Sequence, residues 1–361
     1  MDALITVVHH EIPLSRPYAL SFGTITHFSS YYVHLQGKGK HGMGEITPLP
    51  GYGHETDALI VQALGSFAEQ LESGIPYLQA ALNTHASAPM TGSGLICAVE
   101  TWEEGLETAF HAPVPSSLPL AAFCPGNTPE EIAASATDLV GQGYKDLKLK
   151  VGRMDAAKEA ELVQAACAAL PPEGSVRIDA NQRSSFDHAL ALCSLLEGYP
   201  VAHFEQPFGP HDWEDHSKLA ERSTLPILLD ESIENLSDIK RAANSGISAV
   251  KLKLCKHPGM NATEAMISLT RECDLGVIFG NGVQSALGNH LEARIANACA
   301  LNTGIESNGF AKMAHSPMEH RLRIAQGRLV DNGLTSPSLD KGEPTLEYTF
   351  PIELLSTKRN A

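Results

Sequence analysis

The chain has 361 residues, 43% of them apolar and 19% charged. That length and balance suit a large folded unit with a smaller companion, and exclude a disordered or fibrous chain. With 42 acidic against 26 basic residues the net charge is −16, a field that opposes nucleic acid and anionic membranes as partners.

Seven cysteines are scattered with no C-x-x-C pair, most of them in apolar runs such as Ala165-Ala166-Cys167-Ala168. Buried free thiols are the expected reading. Met1-Asp2-Ala3-Leu4-Ile5 lacks a basic, then long apolar, leader, and no run of about 18 apolar residues occurs to cross a membrane. A cytoplasmic, reduced setting is expected, with oligomerisation left open.

In chain order, residues 1–115 read as an α+β capping domain. Val33-His34-Leu35 and Gly44-Glu45-Ile46, separated by Gly-rich turns, predict an antiparallel sheet, and helical stretches follow at about 57–73 and 92–110. From about residue 116 to 330 a strand–helix rhythm sets in. Leu118–Phe123 is a strand candidate. Thr128-Pro129-Glu130-Glu131 then supplies an N-cap, a first-turn proline and a capping-box glutamate. The unit recurs with strand-like runs 148–151, 176–179, 202–205, 226–230, 249–253 and 276–279. Their helical stretches are 155–170, 185–197, 212–222, 235–244, 261–273 and 287–300. Such alternation predicts a parallel sheet, and so many units favour a (β/α)-barrel, a modified TIM barrel, over the runner-up, an open doubly wound sheet. The segment 331–361 is expected to pack back on the cap.

Lys150, Asp179, Glu205, Asp230 and Lys253 each stand at the C-terminal end of a strand-like run, one β/α unit apart. In a barrel this gathers them on the rim where active sites lie. Each alone would more often be a rim salt bridge, but five in phase are hard to assign to packing. Three carboxylates buried together repel unless compensated. A divalent cation would resolve this, and hard oxygen donors favour Mg²⁺ over zinc, with Mn²⁺ also suited. Lysines flank the carboxylates on both sides in strand order, which suits proton transfer at opposite faces of a substrate. Lys148, Arg177, His203 and Lys251, two residues before their partners, share the inward face one layer down.

The set Lys148-Leu149-Lys150, Asp179-Ala180-Asn181, Phe204-Glu205-Gln206-Pro207, Asp230-Glu231-Ser232 and Lys251-Leu252-Lys253-Leu254-Cys255-Lys256 resembles the enolase superfamily, and within it the muconate-lactonizing subgroup. Gly44-Glu45 and Ala98-Val99-Glu100-Thr101-Trp102 match its cap pattern, so the resemblance covers nearly the whole chain. It implies that Asp179, Glu205 and Asp230 bind Mg²⁺. It further implies that Lys150 and Lys253 face each other across a small carboxylate substrate, which loses its α-proton to give an enediolate. Glu231 and Asn181 are expected behind the ligands.

The stretch Gly44–Gly51 with Glu55-Thr56, and Gly304-Ile305-Glu306-Ser307, are similar to o-succinylbenzoate synthases of menaquinone biosynthesis. The expected reaction is therefore a syn dehydration, with Lys150 as base and then acid and Lys253 as a stabilising ammonium. Asn281 and Gln284 after the seventh strand depart from the family's usual serines and glutamate, and with Ser285 and Lys148 they are candidates for substrate contact or support. Gly280-Asn281-Gly282 makes a weak phosphate loop.

The nearest rival is a dipeptide or N-acylamino acid epimerase or racemase, whose Asp-x-Asp ammonium site is only half matched by Glu306-Ser307-Asn308. Muconate cycloisomerisation is a third option. A Schiff-base aldolase would not need three rim carboxylates, and an inactive binding barrel would tolerate losing one. His290 reads as a satisfied core or surface histidine, and Ser21-Phe22-Gly23-Thr24 as a specificity loop closing over the mouth.

Overall fold

The computed structural model describes residues 3–20, 23–49, 53–105, 107–111, 114, 117–315, 318, 321–333 and 346–352. It opens with β1 (Ala3–Leu20), β2 (Gly23–Gly37) and β3 (Lys40–Ile46), then α1 (Asp57–Glu72), α2 (Tyr77–Ser87) and α3 (Pro89–Glu104). A short π-type turn at Glu107–His111 leads to β4 (Leu118–Pro119), β5 (Ala121–Phe123) and α4 (Pro129–Gly141).

There follow β6 (Asp146–Lys150), α5 (Ala156–Ala168), β7 (Ser175–Asp179), α6 (Phe186–Leu195), β8 (Val201–Glu205), α7 (Trp213–Arg222), β9 (Ile227–Leu229) and α8 (Leu236–Asn244). Next come β10 (Ala249–Leu252), α9 (Gly259–Glu272), β11 (Gly276–Phe279) and α10 (Ala286–Ala298). The hairpin β12 (Leu322–Ala325) and β13 (Arg328–Asp331) and the strand β14 (Leu346–Ile352) complete the order.

Local chemistry places the helix starts. Thr128 caps α4 as the sequence predicts, accepting from Glu131 N, but Glu131 Oε2 accepts from Asn127 N at 2.8 Å, one residue before the cap, so the expected capping box is not formed. Asn235 and Asp238 form a full capping box at α8. The helix expected to 110 stops at Glu104, at Gly105 with φ +88, and α2 was not anticipated.

The sequence-order sheet β11-β10-β9-β8-β7-β6-β5 is parallel throughout. It never reverses strand order as a doubly wound sheet must, which removes that alternative. The sheet is curled: Ala121 N donates to Ile305 O, and Glu306 N donates to Phe279 O, both at 2.9 Å, so residues 305–306 tie its two edges together. The strand expected over 118–123 divides at Leu120. β4 pairs antiparallel with β13 while β5 joins the parallel sheet.

The N-terminal unit is a four-stranded antiparallel sheet in the order β14-β1-β2-β3. One face packs on α1–α3 through Tyr31, Val33, Ile60, Leu64, Phe67 and Leu95. The other face sends Ile12, Phe28 and Tyr32 into the apolar core of the parallel sheet and its helices. Alternation along β2 explains the split, since successive side chains point to opposite faces. Among the described residues all seven cysteines are free, four of them buried. No helix there is long and apolar enough to cross a membrane.

Candidate active site

The strand register delivers the ionisable groups to one end of the sheet. Lys150 is level with Asp179, and Asp179 with Glu205. Asp230 and Lys253 each stand one residue past β9 and β10. Asp179, Glu205 and Asp230 are at most 2% exposed.

Lys150 Nζ lies 2.7 Å from Asp179 Oδ2 and also donates to Asn181 Oδ1, while Lys253 Nζ lies 2.7 Å from Asp230 Oδ2. The two lysines therefore hold opposite ends of the carboxylate arc. Burial opposes ionisation of Asp179 and Asp230, but the surrounding ammonium groups outweigh it. Lys148, Lys150 and Lys251 hold Asp179 well below the usual carboxylate range, and Lys253, Lys251 and Lys256 do the same for Asp230.

One layer down, Lys148 Nζ contacts Asp179 Oδ2 (2.9 Å), Glu205 Oε1 (2.8 Å) and Glu306 Oε1 (3.1 Å). Lys251 Nζ contacts Glu205 Oε1 (3.0 Å) and Glu306 Oε2 (2.6 Å), and Arg177 reaches Glu306 at 2.7 Å. Burial would lower both lysines, yet Asp179, Glu205 and Glu306 raise Lys148 well above its ordinary value. Glu205 and Glu306 raise Lys251 in the same way. His203, the fourth member of that layer, is driven down to about 4 by burial and then by Arg177, which keeps it neutral.

Asn181, in the left-handed region at φ 42, donates its amide N to Asp179 Oδ1 at 2.8 Å. Its Nδ2 approaches Glu231 Oε1 at 3.4 Å, and burial followed by repulsion from Asp230 and Asp179 raises the Glu231 carboxyl. Asn281 turns its Nδ2 onto Cys255 Sγ at 3.0 Å, and its backbone N to Glu292 at 3.3 Å. Gln284 is 2% exposed with Oε1 unpaired. Ser285 spends both its N–H (2.7 Å) and its hydroxyl (2.6 Å) on Glu45, so its polar groups serve the start of α10. His290 is fully buried between Ala109 O (3.0 Å) and Asp331 (3.1 Å), consistent with a core role. Ser21 and Phe22 of the expected specificity loop, and Pro50 and Gly51 of the cap motif, lie outside the described residues.

Three groups that the sequence reading named only as members of motifs take places it did not give them. Glu306 belongs to the lysine layer, and its signal was its place at the end of the segment that ties the sheet edges. Gln206, at φ 37, accepts from Asp230 N (2.9 Å) and donates to Ser232 Oγ (2.7 Å), joining two rim loops. Lys256 donates to Asp230 O at 2.9 Å, its own pKa lowered by burial.

Whether a divalent cation suits this set is a question of donors and vacancies. Among the described residues no three carboxylate, imidazole or thiol groups converge as a ready ligand cage, and the carboxylates are turned onto ammonium groups. The donor chemistry nevertheless fits Mg²⁺: three buried carboxylates on successive strands. The buried Oε2 atoms of Glu205 and Glu231 accept no hydrogen bond, and an unsatisfied buried oxygen calls for a partner.

A family model described as Enolase C-terminal domain-like matches residues 131–334. An aromatic dipeptide epimerase of Herpetosiphon aurantiacus is 26% identical over 305 residues, 79% of this chain and 83% of the relative. An o-succinylbenzoate synthase of Listeria innocua is 27% identical over 308 residues, 81% and 78% of the two chains. The crystal structure of a dipeptide epimerase from Cytophaga hutchinsonii, complexed with Mg and the dipeptide D-Ala-L-Val, superimposes with a TM-score of 0.79. It is 21% identical and covers 97% of this chain and 100% of that one.

Proposed function

Because the chain belongs to the enolase superfamily, whose matched members are metal-dependent enzymes, we propose that it removes the α-proton of a small carboxylate substrate between Lys150 and Lys253. The curled sheet is read as a (β/α)-barrel and the N-terminal unit as its cap. The observation that carries the proposal is the pair of lysines bracketing three buried carboxylates. Asp179, Glu205 and Asp230 would hold Mg²⁺, which supplies positive charge opposite a developing enediolate.

The chain's own groups divide the remaining work. Lys148 stays an ammonium, because its carboxylate neighbours raise it, so it anchors negative charge and is no base. Lys150, whose side chain is 30% exposed, has access to substrate. As a free amine it takes the α-proton, and as an ammonium it returns that proton to the departing hydroxyl, releasing water on the same face. Lys253 stands opposite, where its positive charge would stabilise the anion.

The reaction proposed is the syn dehydration of a cyclohexadiene carboxylate to o-succinylbenzoate. Glu306 is already engaged by Lys148, Lys251 and Arg177. Asn308 Oδ1 accepts from Lys312 at 2.8 Å. Both positions of the half-matched ammonium motif are thus occupied, which weighs against a substrate carrying an ammonium there.

The second reading, epimerisation of a dipeptide or N-acylamino acid, uses the same lysines and is favoured by the likeness to dipeptide epimerases. The deciding experiment follows the o-succinylbenzoate precursor optically with Mg²⁺, with Lys150→Ala as control. Metal-dependent loss of substrate that the substitution abolishes supports dehydration. No turnover, with solvent deuterium entering a dipeptide or N-acylamino acid, moves the function to epimerisation.

A further inference from the structure

We propose that Glu45 and Glu100, two buried carboxylates of the cap, are positioning residues that set the segments following β10 and β11, and through them the stance of Lys253 and the Asn281–Gln284 turn. The inference rests on the reading of Lys253 as a group that touches substrate.

The first turn of α9 has no cap of its own. Pro258 precedes it and offers no side-chain acceptor, although the first N–H groups of a helix need partners. Glu100, from α3, takes that place: its Oε2 accepts from Met260 N at 2.6 Å and its Oε1 from Asn261 N at 3.1 Å. Such a carboxylate also meets the positive end of the helix dipole.

The approach is close enough to require glycine. Gly259 sits at φ +85, and a Cβ there would stand 2.5 Å from Ile96 Cγ2 and 2.6 Å from Glu100 Oε2. Two further cap groups hold the same segment. Ser93 Oγ donates to Leu254 O at 2.6 Å, and His85 Nε2 lies 3.1 Å from Lys256 O. The chain from the residue after Lys253 to Asn261 is therefore fastened to the cap at each end and in the middle.

Glu45 does the equivalent for α10. Its Oε1 accepts from Ser285 N (2.7 Å) and its Oε2 from Ser285 Oγ (2.6 Å) and Gly288 N (2.8 Å). The turn carrying Asn281 and Gln284 leads directly into this clamp. The cap thus bonds to the two segments that follow site strands, and an error of about 1 Å at a reacting group costs roughly a hundredfold in rate.

Glu55 provides a matched control. It caps α3 within the cap itself, accepting from Met90 N (2.6 Å), Thr91 N (2.9 Å) and Thr91 Oγ1 (2.6 Å), and it touches no barrel segment in these bonds.

The test compares Glu100→Ala, Glu100→Gln, Glu45→Ala and Glu55→Ala in the full chain with Mg²⁺. The readouts are kcat and KM on whichever substrate turns over, the melting temperature, and hydrogen exchange over residues 253–261 and 285–288. Glu100→Ala should lower kcat at least about tenfold where the protein is still folded and speed exchange over 253–261. Glu100→Gln, keeping one acceptor, should fall between it and the parent. Glu45→Ala should act on 285–288, and Glu55→Ala should lower the melting temperature while sparing kcat and both segments. If Glu100→Ala and Glu55→Ala lose melting temperature alike and leave kcat and exchange equally unchanged, the positioning role is wrong. If the parent turns over neither substrate, the catalytic reading fails by itself and exchange decides positioning: unchanged protection in Glu100→Ala and Glu100→Gln overturns it.

Discussion

Glu205 and Glu306 face each other across two shared ammonium groups: Lys148 Nζ lies 2.8 and 3.1 Å from them, and Lys251 Nζ 3.0 and 2.6 Å. The four side chains make a ring of alternating charge that includes one proposed metal ligand, Glu205, with Arg177 attached to Glu306 at 2.7 Å. Burial opposes the Glu306 carboxylate, but Lys148, Lys251 and Arg177 hold it well below the usual range. Removing its charge leaves those cations facing one carboxylate fewer, in a place water scarcely reaches. Glu306→Gln should therefore cost about 3–5 kcal/mol of stability, read from urea unfolding. A loss under about 1 kcal/mol would mean the ring is not a structural unit.

Lys150→Ala should lower kcat by about 10²–10⁴-fold, the usual worth of a positioned proton-transfer group, and Lys253→Ala by about 10²–10³-fold, the usual worth of a group that stabilises a developing anion. The parent rate in either variant would end the assignment of these lysines. Circular dichroism of Lys150→Ala should match the parent, because that side chain is the more exposed of the two.

Chelation should abolish turnover, and Mg²⁺ should restore it. Saturating Mg²⁺ should also stabilise the fold, by about 2.7 kcal/mol at a hundred times its dissociation constant. Asp230→Asn should lose that increment. An increment that survives the substitution places the cation elsewhere.

Burial pushes the Glu292 carboxyl up to about 7, against hydrogen bonds from Asn281 N and Asn289 Nδ2. An unfolded glutamate titrates near 4.5, so between about pH 4.5 and 7 the folded chain keeps a proton that the unfolded chain has released. Stability from this group is complete below that window, falls as pH rises through it, and levels off above about 7. The change is about 3 kcal/mol. Glu100, also raised to about 7 by burial, adds a decline of the same sign. Glu292→Gln should flatten part of the slope when urea midpoints at pH 5 and 7.5 are compared, and an unaltered slope contradicts the shift.

Gly44 packs on α3 so closely that a Cβ would lie 2.0 Å from Gly94 O. Neither backbone can yield without separating β3 from α3. Gly44→Ala should cost at least about 2 kcal/mol and shift the melting temperature downward, whereas a neutral result would show that the strand can slide.

Much of this protein was legible in its sequence. The strand–helix rhythm from Leu118 onward, the N-cap at Thr128, and the phase of Lys150, Asp179, Glu205, Asp230 and Lys253 are local or periodic signals. Alternation along a strand and hydrogen bonding within a turn are decided by neighbours in the chain. Tertiary structure alone decided the rest, because it depends on groups far apart in sequence. Glu306 finds Lys148 across 158 residues, Glu100 caps α9 across 160, and Glu45 reaches Ser285 across 240. The break at Leu120 belongs to the same class, since it follows from pairing with β13 and Ile305. No periodicity encodes such partners: a buried carboxylate takes whichever donors the folded chain brings to it, and only the packing of the N-terminal unit on the parallel sheet and its helices says which those are.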